Sequence, residues 1–135
     1  IGARAFRVPT EKKALYHAAA VLASGGVVSL LSASLDMLVR CGLGPPEAGR
    51  VVLPLVEGTV ASLRSHDPAR ALTGPVARGD LGTVERNLRA ITEDAPEYLA
   101  AYKLLGLRAV ALARQAGREP GQLAAIKRRL EEDDC

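Results

Sequence analysis

A chain of 135 residues suits one compact domain with its own hydrophobic core, so neither a metal nor a disulfide is required to hold it together. Hydrophobic residues make up 48% and aromatics only 3%, with Ala and Leu dominant, which favours closely packed helices over a sheet of β-branched and aromatic residues. The net charge of +3 is scattered, and the C-terminal cations Arg114, Arg118, Lys127, Arg128 and Arg129 are matched by neighbouring acids; no basic stripe with stacking aromatics exists to bind nucleic acid.

The opening residues Ile1 to Val8 read as an extended lead-in ending at Pro9, with Thr10 as the expected helix cap and Glu11 at the positive helix end. No proline intervenes before Arg40 and Gly42 supplies a stop, so the pattern predicts one helix of about 30 residues, about 45 Å long, as the spine of the domain. From Ala14 to Leu35 it carries no Asp, Glu, Lys or Arg, long enough for a membrane span of about 20 residues. Ser24, Gly25, Gly26, Ser29, Ser32 and Ser34 lower its hydrophobicity, and the later helices have polar faces, so the expectation is a helix surrounded by others, with no membrane. Gly25 and Gly26 each cost about 1 kcal/mol relative to Ala in a helix interior. Either the small residues from Ala18 to Gly26 admit another backbone, such as that of a second copy, or the helix kinks there.

Gly42-Leu43-Gly44-Pro45-Pro46 superficially matches a dinucleotide-binding glycine loop, but Glu47 stands at the third glycine position and a helix precedes it, so it reads as a helix connection. A second helix is expected from Glu47 to Ser65, bent at Pro54, with Val51, Val52, Leu55, Val56, Thr59, Val60 and Leu63 on its apolar stripe. Asp67-Pro68 starts a short turn through Ala71, followed by a loop from Thr73 to Gly79. Asp80 then caps a third helix that buries Leu81, Val84, Leu88 and Ile91. Pro96 opens a fourth, with Leu99, Tyr102, Leu105, Gly106, Ala109, Leu112 and Ala113 at helical spacing, ending near Gly117. A fifth begins near Pro120, and Lys127 to Asp134 reads as a solvated, fraying tail.

Two constellations could carry chemistry. Lys13 and His17 lie four apart and share a helix face, where a cation and an imidazole could meet a substrate carbonyl or carboxylate; the same pair also reads as a solvated first-turn residue and a packing histidine. In Thr73-Gly74-Pro75-Val76-Ala77-Arg78-Gly79-Asp80, glycines permit close backbone approach, Arg78 can grip an anion, and the following helix offers N–H groups; ordinary turn chemistry explains the same residues. Cys41 and Cys135 lack metal-ligand spacing and read as reduced cytoplasmic thiols, and with two histidines no His-rich metal site can form. The first residues lack the order of a secretory signal, and a chain opening on Ile1 reads as part of a longer protein.

The Lys13-Ala14-Leu15-Tyr16-His17 start, Leu53-Pro54-Leu55-Val56 with Thr59, Leu72-Thr73-Gly74-Pro75 with Arg78-Gly79-Asp80, and Ala95-Pro96-Glu97 with Tyr102 together resemble a bacterial family of Rossmann-like NADP oxidoreductases, in their C-terminal helical domain of unknown function. That domain is similar to the dimerisation domain of pyrroline-5-carboxylate reductase and, more distantly, to the C-terminal domains of 6-phosphogluconate and ketopantoate dehydrogenases. The resemblance implies an all-α bundle of about five helices around one long central helix, spanning residues 10–135, with residues 1–9 as the crossover from a Rossmann domain. It implies a homodimer acting on a small-molecule substrate, with NADP or NAD held mainly by the preceding domain and none by this chain alone. Lys13 and His17 become candidate catalytic residues, and Thr73, Gly74, Arg78 and Asp80 candidate substrate contacts. Gly25 departs from the polar residue, often Asn, expected of relatives at that position. The other reading of the residues is a freestanding helical dimerisation module without enzymatic role.

Overall fold

The computed structural model describes residues 7–132, and among them every regular element is helical. The chain divides into two compact units, one through Val52 and one from Leu53 onward.

In the first unit, Pro9 leads into a 3-10 turn, Thr10–Lys12, followed by α1 (Lys13–Ala23) and α2 (Gly25–Arg40). Thr10 is not the cap expected of it: it lies inside the turn, which closes through the Lys12 N–H donating to the Pro9 carbonyl at 2.9 Å. The long helix is interrupted at Ser24, whose φ of −115° and ψ of −79° depart from helical values. Backbone bonds continue across the break, from Ser24 N–H to Ala20 and from Val28 N–H to Ser24, so it is a kink just before the glycine pair. In α2, Ser29 and Ser34 turn their hydroxyls onto the carbonyls four residues back, Gly25 and Leu30, both at 2.9 Å. Those bonds let hydroxyls ride on an apolar helix without unmet partners.

The residues crossing the α2 stop form a Schellman motif: Gly42 has φ +96°, its N–H reaches Val39 at 2.9 Å, and Leu43 reaches Leu38 at 3.2 Å. Next, α3 spans Pro45–Ser65 with Pro54 inside it. Gly44 begins it; its carbonyl accepts from Glu47 and Ala48, while its own N–H donates to Glu47 Oε2 at 3.0 Å. This reciprocal capping confirms a helix connection and occupies an N–H that a pyrophosphate would need.

The expectation that the long helix is enclosed by others is not met. No residue of α1 or α2 is buried; Leu15, Leu22 and Val28 are 68%, 74% and 67% exposed. Residues Thr10–Arg40 also form the one stretch among the described residues long and apolar enough to cross a membrane, with mean hydropathy 1.8. On α3, Ala48 and Val52 are buried but Val51, Leu55, Val60 and Leu63 of its apolar stripe are exposed.

The second unit has a true core. Asp67 caps the short α4 (Pro68–Ala71), accepting from the N–H groups of Ala69 and Arg70 at 3.0 and 3.1 Å. Then come α5 (Gly74–Arg78), α6 (Leu81–Asp94), a 3-10 turn (Pro96–Tyr98), α7 (Leu99–Gln115) and α8 (Pro120–Glu131). Val84, Leu88 and Ile126 are wholly enclosed, joined by Val76, Leu123 and Leu130. Leu81, Val84, Leu88 and Ile91 line the inner face of α6 as their spacing predicts. On α7 the inward row is Leu99, Tyr102, Gly106, Ala109 and Ala113, with Leu107 and Val110 beside it, while Leu105 points out, 47% exposed.

Glu119 caps α8, accepting from Gly121 and Gln122 N–H groups at 2.8 and 2.7 Å; the Gln122 bond first and the Gly121 bond second hold its carboxyl below the ordinary value. The expected fraying after Lys127 is displaced: the helix continues to Glu131, because Leu130, 2% exposed, packs on Gly106, where a Cβ would stand 3.0 Å from the leucine methyls. Lys103 further ties the end by donating to the Glu132 carbonyl at 2.5 Å.

Candidate functional site

The segment expected to be a loop from Thr73 to Gly79 is largely a helical turn, α5. Thr73 precedes it in extended conformation, φ −121° and ψ −176°, and Gly74 turns the chain with φ +90°, a value a side chain would resist. Pro75 then fits the first helical turn, where its missing N–H has no cost. Val76 anchors the turn in the core, leaving Thr73 and Arg78 exposed on the outside. The Thr73 hydroxyl makes no capping bond.

The turn closes in a second Schellman motif. Gly79, φ +72°, donates to Val76 at 3.1 Å and Asp80 donates to Pro75 at 2.9 Å. The positive φ favours glycine here, and a Cβ would in addition oblige the exposed Gln122 side chain of α8 to move aside.

Asp80 begins α6 and its carboxylate is fully engaged. Oδ1 accepts from Thr83 N–H at 3.0 Å, and Oδ2 accepts from the Thr83 hydroxyl at 2.6 Å. That hydroxyl accepts in turn from Arg86 at 2.6 Å. The Thr83 side-chain bond, then its backbone bond, and after them the Arg86 and Arg78 charges, hold the Asp80 carboxyl below its ordinary 3.8. A carboxylate already sits where the sequence offered N–H groups to an incoming anion. The groups left to meet a ligand are the Thr73 hydroxyl, the backbone at Gly74 and the Arg78 guanidinium. Sequence reasoning missed Thr83 and Arg86, although the Asp80, Thr83, Arg86 spacing of three places them on one helix face.

A hollow of about 200 Å³ lies beside this turn, lined by Leu72 and Ala77 with Ala69, Arg70, Ala113, Ala116 and Arg118. None of the four candidate substrate residues lines it. Lys13 and His17 stand in the first unit, both exposed on α1, one turn apart as their spacing requires. Neither is held by a hydrogen bond or ion pair among the described residues, so both side chains are available. No group of three or more His, Cys, Asp and Glu among the described residues could hold a metal. Cys41 is a free, exposed thiol; Cys135 and most of the expected crossover, residues 1–6, lie outside the described residues.

The Gly42 to Pro46 segment is not built as a dinucleotide loop. Its glycine pair Gly42 and Gly44 joins two helices instead of following a strand, and the Gly44 N–H is capped by Glu47.

These features define an all-α domain with one well-packed unit and one uncovered pair of apolar helices. The chain belongs to the family described as a domain of unknown function, DUF2520, which matches residues 1–109. No curated protein and no solved structure matches it.

Proposed function

We propose that this chain is the C-terminal dimerisation and substrate-cleft domain of an NAD(P)-dependent oxidoreductase of the cytoplasm, bacterial by its resemblance. NADP or NAD is held by a Rossmann-like domain preceding Ile1; Lys13 and His17 are the candidate catalytic residues of the first unit, and Thr73, Gly74 and Arg78, presented by a turn that Asp80 fixes, are the candidate substrate contacts of the second. One observation carries the dimer: α1 and α2 together bury no residue, and a contiguous apolar surface of this kind marks an association site. Gly25 supports it, since nothing among the described residues lies within 4 Å of where its Cβ would stand, whereas Val21 and Leu22 of α1 come that near at Gly26. The role of Asp80 in the site is to fix the turn that presents Thr73 and Arg78, because its own oxygens are occupied.

Expression of the chain together with its upstream coding sequence, followed by titration with NADPH, tests the redox half of the reading. Absence of binding in that longer protein defeats it. Sedimentation of the chain and of Leu22→Glu, changed at a 74% exposed position, tests the other half. A dimer that the variant converts to monomer is expected; monomers in both cases remove the dimer.

The second reading, a freestanding dimerisation module, is favoured by the Gly42 to Pro46 segment, which joins two helices and has its Gly44 N–H capped by Glu47. Arg78→Ala separates the two in the longer protein: a raised KM is expected of a substrate contact, whereas unchanged kinetics make the turn architectural. The length and hydropathy of Thr10–Arg40 also meet the requirement for a membrane span, and the kink and serines weigh against it. Recovery of the chain only with the membrane fraction would replace the dimer by a lipid-facing helix.

A further inference from the structure

The geometry points to a binding site for a small amphipathic carboxylate in the groove between α7 and α8, independent of the redox reading. The groove encloses about 450 Å³, within the range of small-molecule sites. Its floor is apolar: Leu107, Val110 and Ala111 come from successive turns of α7, and Leu123 and Ala124 from the facing turn of α8. Ala111 and Ala124 are what keep it open, since larger side chains at either position would fill it. The rim carries Arg114, Lys127 and Arg128 against a single carboxylate, Glu131.

These charges are not all spent on each other. Lys127 pairs with Glu131 at 3.5 Å on the same helix. Arg114 and Arg128 have no ion-pair partner among the described residues, although the turns they come from face each other across the groove. A carboxylate matches a guanidinium fork with two parallel hydrogen bonds. An apolar stem of modest length would displace water from a floor that offers that water few hydrogen bonds. Apolar floor and cationic rim therefore select the same ligand: one negative charge on a short hydrocarbon body. Most of the groove lies beyond residue 109, where the family match ends.

Titration of the ¹⁵N-labelled chain with octanoate, read by amide NMR shifts, tests the site. Saturable shifts on residues 107–114 and 123–131 are expected, with octan-1-ol binding about tenfold more weakly because it lacks the charge-assisted bonds. Arg114→Gln with Arg128→Gln changes only exposed side chains and should weaken octanoate by about the same factor, leaving octanol unaffected. Ala111→Leu, with helicity checked by circular dichroism, should abolish binding of both. No saturable shift, equal affinity for the acid and the alcohol, undiminished binding by either variant, or shifts centred on α1 and α2 would each overturn the assignment.

Discussion

The two units follow the same helical code and differ in what their apolar faces meet. In the second, Leu88 and Ile126 are entirely enclosed and small residues are spent on close approach, as at Gly106 under Leu130. In the first, leucines and valines of similar spacing along α1 and α2 stand in solvent. Helical periodicity therefore specifies a face that must be covered, and leaves open whether the cover comes from the same chain.

That contrast is sharpest under truncation of one leucine in each region. Leu88→Ala, in the core, should cost about 3 kcal/mol, within the range for buried leucines, at any protein concentration. Leu22→Ala should change the stability of the dilute chain by no more than about 0.5 kcal/mol, as a surface substitution does. Its effect should instead appear as a weaker dimer in sedimentation. A large, concentration-independent loss in Leu22→Ala, measured by urea unfolding, would erase the distinction between the units.

Next in size is Gly79→Ala. A left-handed φ filled by an L side chain costs about 1–2 kcal/mol, and the approach of Gln122 adds to it. The double variant with Gln122→Ala should recover the steric part alone. Full recovery would show that the backbone conformation is unstrained.

A smaller effect is expected at Asp80. Because its folded-state carboxyl lies below 3.8, the ionised cap stabilises the fold above that pH, and its contribution is lost as pH falls through the lowered folded value. Asp80→Ala should lower the melting temperature at neutral pH, and the gap from wild type should close only in strong acid. A gap that persists at the lowest pH would mean the carboxylate is not the source of the stabilisation.

Much of this was legible in the residues. The all-α class followed from composition, and the capping role of Asp80 follows from a side-chain oxygen placed one turn from the N–H group it meets, whereas the caps made by Asp67 and Glu47 were not read from the sequence. The break at Ser24 was legible only as an alternative, because glycine marks where a helix can bend without stating that it does. Two larger features also escaped. The short helix α5 is held by Val76 in the core and by its Schellman closure, so tertiary contact turned a glycine-rich loop into a helical turn. The C-terminal segment looked like a charged tail because Leu130 is the one apolar residue among seven charges from Lys127 to Asp134, yet its burial in the core against Gly106 fixes the helix. Of the candidate site, spacing alone paired Lys13 with His17, whereas the occupation of Asp80 by Thr83 needed coordinates.

The glycine stops after α2, α5 and α7 share one backbone device, a left-handed residue with two reversed hydrogen bonds, at Gly42, Gly79 and Gly117. Such a stop is written in a handful of adjacent residues and requires nothing from distant parts of the polypeptide. On the ribosome, the boundary of α2 is thus defined as soon as Leu43 has emerged, before Leu123, Ile126 and Leu130, which complete the core of the second unit, are synthesised. The helix pair can present a finished surface early, and the timing of assembly is then governed by the encounter with whatever covers it.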